Sequence, residues 1–516
     1  MALAAAAVSA QTSRGSVAGL VQDPSGAAVA AGGVELRNLE TGVVRTTPTN
    51  EGGLYRFDAV DPGRYDLTVK LTGFKSFTAR NFSVLAGQAL NVDARMEIGD
   101  VQATVEVSAE GVALQTESMV RGSNIERTNI VQLPFSARNP VQLAFTLPGV
   151  NTSRFVSGSD SFSVNGSRGR SNNFLIDGTE NNDISVGGQA FQIRIPDAVQ
   201  EVAVQTSNYD AEFGRAAGAV VNVVTRAGTN SLHGTASYLL DSTTDDAITN
   251  TQSLSPDIQK RGKPFAGTNQ IWNGTLGSRI VKDRTFFFVA FGEDRRNAQA
   301  SNSLRVLSAN GRATLQRLFP KGTNPRADLY DQVTTGLNAG ANFFNVPLGA
   351  GRPDLEFGQA VASFGRNVGE RQYMIRMDHK LGERDQLSGR FMNSFRGDPR
   401  GGATNPFAGF ETGTTEAYRN ALITHTNVFS ANMTNEARMH YNRIGLDFPG
   451  ATANPLGLTL PRYEFGSAAI SGIGVQTNLP QGRLANNCGF QDTVTIVRGA
   501  HAFRFGADVL LVASGT

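Results

Sequence analysis

The side chains best suited to metal binding, nucleophilic attack or proton transfer near neutral pH are few and far apart. His233, His379, His425, His440 and His501 fall on unrelated strand-like and loop-like segments, with none of the spacings that gather imidazoles around zinc. Cys488 is the only cysteine, so no disulfide forms within the chain. In an oxidising compartment it reads as a buried free thiol or as half of a bond to a partner. The phosphate-cradling loop, the GxSxG elbow and the dinucleotide fingerprint do not occur. The acidic, amide-rich run from Asp177 to Asp183 has oxygen ligands for Ca²⁺, but its spacing fits no EF-hand, and a solvated loop is expected. Arg168 and Arg170 could hold phosphate or RNA. With a net charge of only +2, contacts between parts of the protein are the expected use, and no nucleic-acid partner is. No catalytic, cofactor-binding or metal-ligating residue is assigned, and the chain reads as a non-enzyme.

The elements behind these residues are β-rich. With 516 residues the chain is too long for one ordinary domain, and its 57 glycines and 18% charged residues suit strands joined by many turns. After the N-terminus no apolar run reaches the roughly 18 residues of a membrane helix. A membrane β-strand needs only about ten residues of alternating polarity, so a barrel stays open. Met1 to Ala10 is apolar, and Val8-Ser9-Ala10 is a plausible cleavage site. Residues 1–12 are therefore read as the remnant of a secretory signal.

Residues 13–98 show short strands at Gly15 to Asp23, Val34 to Asn38, Tyr55 to Val60, Tyr65 to Leu71, Phe77 to Leu85 and Ala89 to Met96. Their regular spacing and the turns Asp23-Pro24-Ser25-Gly26 and Asp61-Pro62-Gly63 predict a β-sandwich with Tyr55, Phe57, Tyr65 and Phe74 in its core. Residues 99–110 alternate through Val101, Ala103, Val105 and Val107 as an extended linker. In residues 111–229, Asn139 and Pro140 start a short helix that Pro148-Gly149 ends, and Asp177-Gly178 is a tight turn after an apolar strand. Val202 and Val204 predict a strand with one buried face, and Val220 to Val224 a strand covered on both. From residue 230 to 516, charges and aromatics alternate with a period of two. Tyr373, Ile375 and Met377 oppose Arg376 and Asp378, and Phe503, Phe505 and Val509 oppose Arg504 and Asp508. This is the pattern of a polar lumen inside an apolar surround. Residues 241–269 and 297–370 read as long polar loops.

Three of these segments carry a resemblance. The order Asp23-x-x-Gly26, Gly53-x-Tyr55-x-Phe57, Pro62-Gly63-x-Tyr65 resembles the carboxypeptidase-regulatory-like domain, an immunoglobulin-like sandwich whose name implies no activity. Pro196 to Ser237 resembles the end of the plug domain of TonB-dependent outer-membrane receptors of the Oar-like branch, at its junction with the barrel. The matching residues are Glu212-Phe213-Gly214-Arg215, the strand Val221 to Asn230 (with Asn222, Thr225 and Gly228), and His233-Gly234. Trp272 to Phe288 resembles that branch's first barrel hairpin, with Ser278-Arg279 where Gly-Pro is usual.

The resemblance implies a mainly β protein: an N-terminal Ig-like sandwich, an α+β plug at 111–229, and part of a transmembrane antiparallel β-barrel at 230–516. It implies a cell outer membrane location in a Gram-negative bacterium. The implied partners are the TonB complex, outer-membrane lipid and an extracellular ligand, of the glycan or peptide class, imported with energy delivered by TonB and without a cofactor. Ala103, Thr104, Val105, Glu106 and Val107 look like a TonB box, or else are the last strand of the sandwich or the first of the plug. The alternative function is adhesion or signalling with the barrel as an anchor. About nine strand-like segments follow residue 230 where plugged transporters use about 22, so a fragment lacking the C-terminal part of the barrel is expected.

Overall fold

The computed structural model describes residues 14–100, 104–108, 120–133, 135, 138–152, 162–183, 187–209, 212–213, 216–243, 246–250, 252–254, 256–349, 351–399, 407, 410, 412–449, 470–474 and 479–515. The expected signal remnant lies outside them.

The first unit is a sandwich of β1 (Gly15–Gln22), β2 (Gly33–Asn38), β3 (Val44–Pro48), β4 (Leu54–Val60), β5 (Gly63–Lys70), β6 (Ser76–Val84), β7 (Ala89–Asn91) and β8 (Ala94–Arg95). One sheet runs β4-β1-β7 with β8 also on β1, and the facing sheet runs β3-β2-β5-β6. Val17, Leu36, Tyr55, Phe57, Tyr65 and Leu67 fill the space between, and Phe74 packs half-buried on their edge. The two tyrosines are core residues whose hydroxyls donate to the carbonyls of Val92 (2.5 Å) and Asp61 (2.7 Å). β3 was not expected from the sequence. It is a part-exposed edge strand with little apolar signal. β9 (Thr104–Ser108) extends the second sheet, parallel to β6 from Ser76 opposite Thr104 to Arg80 opposite Ser108.

The second unit holds β10 (Arg121–Glu126), α1 (Arg127–Gln132), β11 (Val150–Thr152), β12 (Phe162–Val164), β13 (Asn173–Ile176), β14 (Thr179–Glu180), β15 (Val199–Ser207) and β16 (Val220–Thr225). Its main sheet runs β10-β15-β16-β13-β14. The helix expected after Asn139 is a 3₁₀ helix, Pro140–Thr146, whose first turn is capped by the Asn139 side chain (3.2 Å from the Val141 N–H). β16 is central and buried along its whole length, as its β-branched run predicts. β15 departs from expectation. Its second face is buried too, because Ala86 of the sandwich packs on Ala203 and Val224.

The third unit is a continuous antiparallel wall of β17 (His233–Ser242), β18 (Thr268–Val281), β19 (Thr285–Leu307), β21 (Leu355–Lys380), β22 (Asp385–Asp398), β23 (Thr414–Ser430), β24 (Met433–Phe448), β25 (Gln481–Arg498) and β26 (His501–Gly515), with β20 (Ala341–Val346) added on β21. Ile375, Phe391, Met439 and Phe505 point outward and stay exposed, while Arg376, Arg390, Arg438 and His440 point inward and are buried or half-buried. The two ends of the expected 297–370 loop are strand instead. β19 and β21 stay paired from Asn297 opposite Asn367 to Leu307 opposite Phe357. At 26 residues, β21 far exceeds the roughly ten that a membrane crossing needs. The extension escapes a hydropathy reading because it runs beyond the length of a membrane crossing, and Leu304, Val306 and Phe357 on it pack on a separate apolar core. The connection from β17 to β18 carries α2 (Pro256–Arg261). Beyond the paired extension, α3 (Ala309–Leu318) and α4 (Pro325–Val333) share an apolar core with Phe407, Phe410 and Ile473 from two other connections.

The sandwich sits against both other units. Arg14 reaches Asp61 at 2.7 Å and Glu436 of the wall at 2.8 Å. The Ala86 N–H donates to the Glu201 carboxylate of the plug. Burial pushes the Glu201 carboxyl up to about 7, against the lowering effect of Ala86 and Asn124. Because the folded value lies above the unfolded one, the contact is fully stable below about pH 4.5 and weakens as pH rises through 7. Glu201→Gln keeps an acceptor but cannot ionise. We expect the wild-type thermal midpoint to fall between pH 5 and 8 relative to Glu201→Gln, by up to about 3 kcal/mol in stability. Parallel pH curves for the two proteins would contradict this.

Candidate functional site at the plug–wall junction

The Asp177-Gly178 turn is where plug and wall meet. Both residues take positive φ (47° and 76°), which a two-residue hairpin turn of this hand requires. The turn is held against the end of β16. The Asn222 side-chain oxygen accepts from the Gly178 N–H at 2.9 Å. The Thr225 N–H and hydroxyl both donate to the Asp177 carboxylate at 2.7 Å. Arg390 of β22 pairs with the same carboxylate. Arg376 of β21 donates to the Thr225 carbonyl and hydroxyl oxygens at 3.0 and 3.1 Å and pairs with Asp378 at 3.0 Å. Burial alone would raise the Asp177 carboxyl, but Arg390 and Arg376, with the two Thr225 donors, hold it below the usual carboxylate range.

From Thr225 the chain crosses into the wall. The Arg226 guanidinium lies 5.1 Å from the Phe288 ring centroid and donates to the Asp197 carbonyl at 3.2 Å. Gly228 runs so close to β18 and β19 that a Cβ there would lie 2.8 Å from the Ser278 carbonyl oxygen, so only glycine fits. The His233 ring opens β17, stacked on Phe288 with centroids 6.2 Å apart, and its Nδ1 lies 3.1 Å from the Thr229 hydroxyl. Gly234 continues β17 opposite Leu276. Ser278 and Arg279, where the resembling hairpin has Gly-Pro, lie within β18 opposite Phe287 and Phe286.

The expected junction residues thus fall into one continuous structure, Asn222 through Gly234, on the Asp177 turn. Glu212 is buried at a different place, 3.2 Å from Arg504 of β26. Gly214, Arg215 and Ala103 lie outside the described residues. Thr104, Val105, Glu106 and Val107 lie on β9, at the edge of the sandwich sheet.

Two expectations need correction. The Asp177–Asp183 run is not a solvated loop: Asp177, Glu180, Asn181, Asn182 and Asp183 are all buried. Its polar groups are satisfied internally, as where the Asn181 side chain bonds both the N–H and the carbonyl of Phe191 at 2.8 and 2.9 Å. Arg168 and Arg170 are exposed, and the plug–wall ion pairs come instead from Asp177, Asp183, Arg194 and Glu212. The sequence reading missed Arg376, Arg390 and Asp378 as junction residues. Their only signal was charge on the inward face of a strand.

Among the described residues no group of three or more His, Cys, Asp or Glu is arranged to hold a metal. His379 meets the Thr285 hydroxyl at 2.8 Å, and His425 meets Asp385 at 3.2 Å. Cys488 sits half-buried on β25. The arrangement joins a sheet to a wall by one peptide crossing and a buried ionic cluster.

Comparison with known proteins agrees with this geometry. Residues 224–514 match the family described as outer membrane beta barrel domain, residues 114–221 the TonB-dependent receptor plug domain, and residues 16–97 the carboxypeptidase regulatory-like domain. The chain belongs to the outer-membrane β-barrel family, carries a TonB-dependent receptor plug domain, and is a protein of the outer membrane of a Gram-negative bacterium. It is similar to the TonB-dependent transporter Oar of Myxococcus xanthus, 27% identical over 276 residues, which are 51% of this chain and 25% of that protein. The chain therefore spans about a quarter of that curated relative. Among solved structures it is similar to the outer membrane transporter YddB of Escherichia coli (12% identity, 75% of this chain and 48% of that one, TM-score 0.49). It is also similar to a ferric enterobactin receptor of Pseudomonas aeruginosa (13% identity, 75% and 48%, TM-score 0.48). These relatives are transporters and receptors.

Asp177→Asn leaves the buried Arg390 without its counter-charge and should destabilise the receptor by about 3–5 kcal/mol. The readout is the midpoint of heat-induced loss of the compact, fast-migrating form on gels. Adding Arg390→Met should recover most of that loss, and additive damage would contradict the pairing.

Proposed function

We propose that this chain forms the N-terminal part of a receptor that imports a ligand of the glycan or peptide class using force delivered by TonB. One observation carries the reading: the plug lies against the inward face of the wall, tied by buried ion pairs and continuous in chain with its first strand. A solute can pass such a wall only if the plug moves. The sequence shows no nucleotide loop, so the work must come from outside the chain. Thr104 to Val107 supply a means of coupling. They are extended and lie at a sheet edge, which is the backbone arrangement that strand addition by a partner uses. Asn222, Thr225, Gly228, His233 and Gly234 would act as the hinge that keeps the moving plug attached.

A second reading, a surface adhesin or signalling protein anchored by the wall, draws support from the apolar core shared by α3, α4, Phe407, Phe410 and Ile473. Connections that pack on each other make a firm binding surface without any plug motion.

Uptake separates the two. In the full-length receptor, depletion of a panel of oligosaccharides and peptides from the medium should stop when TonB is lost or when residues 103–109 are deleted. Depletion that continues in both strains would sink the import reading, and adhesion that persists in both would favour the second.

A further inference from the structure

One transverse row of the wall changes chemical character halfway along. Ladder register places Ala290 of β19 opposite Met374 of β21, and Met374 opposite Met392 of β22. Met392 then faces Asn420 of β23, Asn420 faces Asn442 of β24, and Asn442 faces Asn487 of β25. All six side chains point inward and are buried, the three asparagines at 0% exposure.

The apolar half is part of the plug's own core. Ala290, Met374 and Met392 belong to one buried cluster with Phe191, Ile193 and Ile195 of the plug. The amide half has fewer: Ala190 of the plug packs on Ile444 and Ala485 two residues further along β24 and β25, and the Asn420 side-chain oxygen accepts from Arg390. Both polar atoms of Asn442 and of Asn487, and Nδ2 of Asn420, make no hydrogen bond among the described residues. In the neighbouring row the His440 ring crosses over Gly489, where a Cβ would collide with it, and both ring nitrogens are likewise unpartnered. The ion pairs spanning this side are Asp183–Arg483 at 3.7 Å and Glu212–Arg504 at 3.2 Å, each with a partly exposed arginine that water can solvate on separation.

The two halves therefore resist separation unequally. Parting plug from wall at Ala290, Met374 and Met392 exposes apolar surface to water, which is unfavourable. Parting at Asn420, Asn442 and Asn487 gives unsatisfied buried amides the hydrogen bonds they lack, which is favourable. We infer that the plug separates from the wall along the β23–β25 face, with the β19–β22 face as the side that stays attached. The opened face, which presents these amides and the His440 imidazole beside the Glu436–Arg438 pair, then suits a polar solute rich in hydroxyl or amide groups. This inference rests on the plug moving during transport, and it adds where it moves and what chemistry the route presents.

Thiol accessibility tests it in the full-length receptor in the outer membrane of intact cells. With Cys488→Ser as background, single variants Asn420→Cys, Asn442→Cys and Asn487→Cys are compared with Ala290→Cys, Met374→Cys and Met392→Cys. The probe is a small, permanently cationic methanethiosulfonate. All six sites are buried at rest, so modification reports opening. The asparagine positions should react at least about tenfold faster than the others, a factor of the size that about one buried hydrogen bond accounts for. Equal rates, or faster reaction at the methionine positions, would overturn the inference. Variants that fail to insert are recognised by loss of the heat-modifiable gel form, and the three positions per face keep the comparison intact. Labelling requires neither ligand nor TonB. A lost bias therefore counts against the parting face alone, while the uptake experiment decides the transport reading separately.

Discussion

Backbone N–H and C=O groups in hydrocarbon have no water to bond, so every one must find a partner within the protein. The wall follows from that constraint. Its strands are paired over nearly their full length, with register changes confined to a few positions near the turns. Period-two alternation then puts Ile375, Phe391 and Phe505 on the apolar side and arginines and amides on the other. The inward face so created is too polar to be left facing a dry core and too crowded to be an open pore. The plug is the structure that resolves this. It supplies Asp177 for Arg390, the Thr225 oxygens for Arg376, and apolar cover for Phe288 and Met374.

The same constraint explains why the junction is concentrated at a hairpin turn. A turn leaves backbone donors and acceptors unpaired by sheet, and here the Gly178 N–H donates to the Asn222 side-chain oxygen and the Asp177 N–H to the Val223 carbonyl of the neighbouring β16. The ionic cluster then builds on a turn that is already fixed. A buried ion pair is weak evidence of net stability, because the desolvation cost rivals the Coulomb gain. Its value here is geometric: the carboxylate accepts from one plug residue and one wall residue at once, which sets how the plug sits against β21 and β22.

Much of this architecture was legible because its signals are local. The Asp177-Gly178 turn, the β-branched run of β16, the Asn139 cap and the alternation along each wall strand are written within a few residues. What stayed hidden is set by distant pairings. Nothing near Asp177–Asp183 says that it will be buried, since its cover comes from β16 and from wall strands some 200 residues further on. The second face of β15 is closed by Ala86, from a different domain. The paired extension of β19 and β21 runs beyond the region where lipid imposes an apolar code, and its apolar residues Leu304, Val306 and Phe357 serve a core completed by distant connections. β3 is polar for the related reason that an edge strand buries little.

The asparagine row is the extreme case. Residues 420, 442 and 487 are ordinary polar positions on three alternating strands, and only the ladder register aligns them with one another and with Met374 and Met392. Each strand alone says polar lumen. Together they say that one wall holds the same plug by two kinds of surface. A plug fastened evenly all round could be released only by breaking every contact at once. A plug fastened by apolar packing on one side, and set against unsatisfied amides on the other, can open like a door. Its hinge is the side where water is unwelcome.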